Sequence, residues 1–145
     1  MPKQARPQLS PTVFISHVTA DNALAHRVRD LLRSSLDAKV FTSEDLSAGE
    51  NWEAQLRKQL SASDYVVALV SPKSVHSTYV LQDLGAAWAL RKPIISVATR
   101  PDVVSTLPVP ASEYQLIELK NIDDPDYADD LARQFSSMIG TNPVR

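Results

Sequence analysis

The chain contains no cysteine, which excludes disulfides, thiolate nucleophiles and cysteine-ligated metal sites. Glycine is nearly as scarce, with three in 145 residues. The segment after the first apolar run, His17-Val18-Thr19-Ala20-Asp21, has neither the glycines nor the Ser/Thr density of a phosphate cradle, so a flavin-binding loop finds no support. Charge of one sign is also missing. Fifteen basic residues face seventeen acidic ones, a formal net charge of −2, and no block of like charge exceeds the Asp-Asp pairs near the C-terminus, so there is no electrostatic footprint for nucleic acid. No window approaches the ~18 uninterrupted apolar residues of a membrane-spanning helix. The opening MPKQARPQLSP lacks the apolar region of a signal peptide. A cytoplasmic protein without membrane contact is expected. The three histidines, His17, His26 and His76, show no metal-ligand spacing, and no metal is expected.

What is present is 43% hydrophobic sequence, enough for one proper core; a chain of this length hides roughly 70% of its unfolded surface. Residues 1–11 carry three prolines and little to bury, which predicts a flexible leader. A single domain is expected over residues 12–140, with a short tail at 141–145.

Within that domain, strand and helix patterns alternate. Thr12 to Ser16 is a short β-rich run, followed by a polar turn and then by Leu24, Val28, Leu31, Leu32 and Leu36 at helical spacing, with Asp21 placed as N-cap. Ala38 to Thr42 reads as a second strand, Ser43 to Glu50 as a polar loop, and Trp52, Leu56 and Leu60 as a second helix. Tyr65 to Val70 is unbroken apolar sequence, the mark of a parallel strand covered on both faces. After the loop Ser71 to Ser77, a helix from Thr78 to Leu90 places Val80, Leu84, Ala87, Trp88 and Arg91 on one face. Pro93 to Ala98 gives a fourth strand and Tyr114 to Leu119 an edge strand, with an irregular stretch from Arg100 to Ser112 between them. Asp126 to Ile139 closes the domain as a helix. Five strands alternating with helices predict a flavodoxin-like parallel sheet with helices on both faces.

In such a sheet ligands gather outside the carboxyl ends of the strands, in the crevice between strands one and three. That rule selects the loop Ser16 to Asp21, the loop Ser71 to Ser77 and the first turns of the following helix, whose free N–H groups favour an anionic ligand group. Asp83 is the only acidic residue between Asp64 and Asp102, and lies about 300° round the helix from Val80, on the edge of the apolar stripe. Tyr79 sits one turn before it. Two readings of this pair stay open. An aromatic could stack a heteroaromatic ring while the carboxylate binds a sugar hydroxyl or steadies positive charge; alternatively, a solvated helix acid lies beside a packing tyrosine. Trp52 and Trp88 are assigned to packing, and His26 and His76 to the surface.

Three runs carry a resemblance: Val13-Phe14-Ile15-Ser16-His17; Ser43-Glu44-Asp45-Leu46-Ser47-Ala48-Gly49-Glu50-Asn51-Trp52; and Ser77 to Leu90 followed by Lys92-Pro93-Ile94-Ile95. In order and spacing they resemble the bacterial Toll/interleukin-1 receptor (TIR) domain over roughly Thr12 to Val97. The resemblance implies the flavodoxin-like TIR fold. In many bacterial members it also implies cleavage of the nicotinamide–ribose bond of NAD⁺, a substrate here and not a cofactor, to give nicotinamide and ADP-ribose or a cyclic variant. The family's catalytic residue is a glutamate four positions after the aromatic of a Ser-x-aromatic motif. On this chain those positions are Ser77, Tyr79 and Asp83, so an aspartate stands where the glutamate is expected. Its carboxylate reaches roughly 1.5 Å less far, and a misplacement of about 1 Å can cost ~10²-fold in rate.

Ser16 and His17 match positions where relatives contact the nucleotide, although Ser16 could equally cap a loop. Glu44 and Asp45 fall in what the family calls the BB loop, Ser43 to Glu50, which in many members covers the pocket and joins in self-assembly; a solvated acidic loop is the alternative. The implied partners are NAD⁺ and other TIR domains. Two functions follow from the resemblance: an NAD⁺ nucleosidase in bacterial defence signalling with Asp83 as the catalytic carboxylate, or a catalytically weak interaction module acting by TIR–TIR assembly. A phosphoacceptor receiver on the same fold is disfavoured, because Ser16-His17 and Ser71 stand where its acidic residues would be.

Overall fold

In a computed structural model the chain is described at residues 10–46, 51–100, 102–103, 115–120 and 122–141. Most of the leader, the second half of the Ser43 to Glu50 loop, nearly all of the irregular stretch after Arg100, and most of the tail lie outside the described residues. The elements run β1 (Thr12–Ser16), α1 (Asn22–Leu36), β2 (Lys39–Thr42), α2 (Trp52–Ala62), β3 (Tyr65–Val70), α3 (Thr78–Ala89), β4 (Ile94–Ala98), β5 (Gln115–Glu118) and α4 (Pro125–Thr141). Each strand arises from a β-branched or aromatic run. Each helix breaks where the backbone or the sequence demands it. α1 ends on Asp37 in the left-handed region at φ 53°, its N–H returned to the Leu32 carbonyl. Pro125 opens α4, its fixed φ suiting the first helical position.

The five strands form one sheet in the order β2-β1-β3-β4-β5. Every pairing is parallel. This is the flavodoxin-like α/β arrangement, and it reverses direction of winding between β1 and β3, where Ser16 stands opposite Ala68. All six residues of β3 are buried, as its central position requires. The edge strand β5 buries only Ile117 among its four residues.

Strand alternation divides the core in two. Val13, Ile15, Val67 and Leu69 face α1 and α4, packing on Val28, Leu32, Leu131 and Phe135. Phe14, Val66, Ala68 and Val70 face α2 and α3, packing on Leu56, Leu60, Val80, Leu84 and Ala87. Helices thus cover both faces, and the last side chain of β1, Ser16, follows Phe14 onto the α3 side.

The buried stripe of α3 differs from the expected one. Val80, Asp83, Leu84 and Ala87 are buried, whereas Trp88 is 52% exposed and Arg91 lies beyond the helix end with φ 59°. Placing Asp83 on the rim rotates the inferred stripe by about 35°, since at about 100° per residue its inclusion draws the centre back from Trp88. A carboxylate occupies a position the pattern reserves for apolar groups. Among the described residues, no helix is long and apolar enough to cross a membrane, and no group of His, Asp or Glu side chains could hold a metal ion.

Candidate functional site

The crevice at the carboxyl ends of β1 and β3 holds a cavity of about 630 Å³, lined by His17, Val18, Thr19, Ser43, Leu46, Trp52, Ser77, Tyr79 and Asp83. That volume lies within the range of small-molecule sites, roughly 300–1,000 Å³. Its walls come from the segments that follow three strands: His17 to Thr19 after β1, Ser43, Leu46 and Trp52 after β2, and Ser77, Tyr79 and Asp83 after β3.

Asp83 is the one carboxylate in the lining of this cavity. It is 3% exposed, one turn beyond the buried Val80, and its Oδ2 accepts a 2.7 Å hydrogen bond from the Ser16 hydroxyl. Its Oδ1 is buried and has no hydrogen-bond partner among the described residues. Burial raises the Asp83 carboxyl from its ordinary value of 3.8 to about 6, and the Ser16 hydrogen bond opposes that rise by favouring the ionised form. At neutral pH the site therefore holds a largely desolvated carboxylate with one oxygen bonded to Ser16 and the other without a hydrogen-bond partner among the described residues.

Ser77 caps α3, its hydroxyl accepting the Val80 N–H at 3.3 Å. Tyr79, in the first turn, is 66% exposed and meets Trp52 edge-on, with ring centroids 5.7 Å apart and planes at 73°. Trp52 has two roles, for it packs on the α2–α3 core and also lines the cavity. An assignment to packing alone misses this second role, which depends on α2 approaching α3.

The loop after β1 is held by polar contacts to distant elements. Asp21 stands at the N-cap of α1, yet its side chain makes no capping bond. Its Oδ2 instead accepts the Ser71 hydroxyl at 2.7 Å, and the Ser71 N–H donates to Ser74 Oγ at 2.8 Å, so the loops after β1 and β3 are tied together. The His17 N–H reaches Ser43 Oγ at 3.4 Å and its Nε2 lies 2.7 Å from Asn22 Oδ1.

Of the residues singled out from the sequence, His17, Ser77, Tyr79 and Asp83 converge on the cavity. Ser16 reaches it only through Asp83, being fully buried and outside the lining. Glu44 and Asp45 are also outside the lining. Glu44 pairs with His26 on α1. Asp45 accepts the Thr42 N–H at 2.7 Å while Thr42 accepts from Glu44 N–H, a capping box on the short 3₁₀ turn Ser43–Asp45. Asp45→Ala is accordingly expected to cost about 1 kcal/mol in urea unfolding, the size of a lost cap. A ligand-binding role would instead alter affinity at unchanged stability. Val18 and Thr19 join the lining from the loop Ser16 to Asp21 that sheet topology selects, and Ser43 and Leu46 from the Ser43 to Glu50 run, although none of the four is singled out individually by the sequence.

The family model for the TIR domain matches residues 13–134. The chain belongs to the TIR domain family. No curated protein sequence matches it. Its fold is similar to that of the Clostridium botulinum CMP N-glycosidase BcmB, at 12% identity and TM-score 0.54 over 85% of this chain and 98% of that one. The sugar isomerase domain of an RpiR transcription factor from Sphaerobacter thermophilus is similar at 11% identity and TM-score 0.54, over 89% of this chain and 72% of that one. Vibrio vulnificus NanR complexed with ManNAc-6P is similar at 12% identity and TM-score 0.54, over 90% of this chain and 51% of that one. At such identities these likenesses speak for the fold alone. In this TIR domain, Asp83 lies in the wall of the crevice cavity.

Proposed function

We propose that this TIR domain cleaves the nicotinamide–ribose bond of NAD⁺. The observation that carries the reading is the buried Asp83 carboxylate in the cavity wall, with Oδ2 held by Ser16 and Oδ1 without a hydrogen-bond partner among the described residues. Departure of nicotinamide leaves an oxocarbenium-like ribose, and a preorganised negative charge in a site of low dielectric stabilises that cation far better than water does. The same oxygen can orient a ribose hydroxyl. Tyr79 and Trp52 offer aromatic faces and edges for a heteroaromatic ring beside it. BcmB, whose description names it a CMP N-glycosidase, shares the fold at 12% identity; that likeness is too distant to choose the bond.

The test is nicotinamide release from NAD⁺ by the wild type, by Asp83→Ala and by Asp83→Glu over a range of protein concentrations. Cleavage by the wild type that Asp83→Ala abolishes is the expected outcome. No release by any variant, even at concentrations where the protein assembles, would overturn the enzyme reading. Release by Asp83→Glu alone would mean that the shorter side chain has cost the chain its activity.

One observation favours a second reading, an interaction module that pairs with other TIR domains. A further groove of about 270 Å³ runs between α2 and α3, lined partly by Leu56, Leu60, Ala86, Ala89 and Leu90. Trp88 at 52% and Leu90 at 43% exposure lie at that end of α3. Sedimentation of the wild type against Leu90→Lys reads this directly, since loss of assembly on charging the groove supports pairing through it.

A further inference from the structure

We infer that Asn22 fixes the tautomer of His17 so that the cavity presents an imidazole acceptor, which selects ligands carrying an N–H or O–H donor near the scissile bond. This rests on the NAD⁺ reading for its choice of ligand, but its physical basis is separate. His17 is 6% exposed, lines the cavity, and has a buried Nδ1 without a hydrogen-bond partner among the described residues. The other ring nitrogen, Nε2, lies 2.7 Å from Asn22 Oδ1.

An amide oxygen only accepts, so Nε2 must carry the hydrogen in that contact. In the uncharged ring Nδ1 is then a bare lone pair. Asn22 is the first residue of α1, so the oxygen that sets the tautomer is carried on a helix. The backbone of His17 is held as well, because its amide N–H donates to Ser43 Oγ on the turn after β2. A buried acceptor without a partner is costly to leave unsatisfied, and a ligand donor that meets it recovers that cost.

His17 and Asp83 line the same cavity, so on the NAD⁺ reading the acceptor shares the wall that faces the reacting carbon. In NAD⁺ the donors near that carbon are the carboxamide N–H of the nicotinamide and the 2′-hydroxyl of its ribose. Both present the same chemistry to Nδ1. Nicotinic acid adenine dinucleotide replaces the carboxamide with an acceptor-only carboxylate, and the 2′-deoxyribose analogue removes the hydroxyl. Asn22 acts here as a positioning residue, because it orients His17 and touches no ligand itself.

The experiment is ¹⁵N NMR of histidine in the wild type and in Asn22→Ala, followed by titration of the slowly cleaving Asp83→Asn variant with NAD⁺ and the two analogues. The wild type is expected to show protonated Nε2 and lone-pair Nδ1. Asn22→Ala is expected to show mixed tautomers and, in turnover, a KM raised about tenfold, the equivalent of one lost hydrogen bond, with kcat changed less. NAD⁺ should shift the Nδ1 resonance, and one analogue should bind about tenfold more weakly and leave it unshifted. A wild-type ring with Nδ1–H overturns the inference whatever the enzyme does, as does equal binding of NAD⁺ and both analogues. Failure of NAD⁺ to bind with the Nε2–H tautomer intact overturns instead the NAD⁺ reading and the ligand drawn from it.

Discussion

Asp83→Asn is expected to lower NAD⁺ cleavage by about 10²–10³-fold, the usual effect of deleting one preorganised charge stabiliser, while raising the free energy of unfolding at pH 8 by about 2 kcal/mol. The two effects have one cause. Burial lifts the Asp83 carboxyl from 3.8 to about 6, so the folded protein binds its proton more tightly than the unfolded chain does. A folded-state value above the unfolded one means that this group's contribution to stability is greatest below about pH 4 and is lost as pH rises through 6. That difference in proton affinity between the folded and unfolded chain corresponds to about 3 kcal/mol at most, and asparagine, which keeps an acceptor for Ser16 but has no charge to desolvate, should recover most of it. The gain must vanish below about pH 4, where Asp83 is protonated in both states. Urea midpoints of both proteins at pH 4 and pH 8, with nicotinamide release on the same samples, check the prediction. A carboxylate kept for packing would show no such opposition between stability and activity.

Ser16→Ala is expected to move the acidic limb of the kcat/KM profile upward by about one to two pH units. The Ser16 hydroxyl stabilises the ionised form of Asp83 through a 2.7 Å bond between two buried groups. A hydrogen bond to a charged group is worth about 1.5–3 kcal/mol, and a tenfold change in proton affinity is about 1.4 kcal/mol. Near pH 7 the variant should therefore be slower by about twofold to tenfold, and should recover toward wild-type rates by pH 9. Ser16→Thr, which keeps the hydroxyl, should leave the limb in place. This outcome separates a positioning role from the nucleotide contact expected of Ser16 by resemblance, since loss of a substrate contact would lower the rate at every pH without moving the limb.

Much of the architecture is legible in the chain. The unbroken apolar run Tyr65–Val70 is the wholly buried strand beside the switch point, and the five strand patterns fall where the sheet has its strands. The motif positions Ser77, Tyr79 and Asp83 share one cavity. Legibility fails where a polar side chain has a choice of partners. Asp21 carries a strong local signal for capping α1, but Ser71 competes for its carboxylate across 50 residues of sequence. Asp45, expected at the substrate, is spent on its own turn. Periodicity places Trp88 inside because it prefers an apolar residue to Asp83 as a member of the stripe, whereas the helix turns Asp83 inward.

By itself, then, the sequence determined the order of strands and helices, the apolar composition of both core faces and the TIR motif positions, because periodicity and turn chemistry act within a few residues. Only the tertiary structure decided which polar groups meet. Ser16 and Asp83 are 67 residues apart in sequence, and they touch because parallel pairing sets Ser16 opposite Ala68, on the sheet face that α3 covers. No local pattern encodes that distance. It is set by strand register and helix packing together, and with it come the carboxylate's burial, its raised proton affinity and the one oxygen without a partner among the described residues.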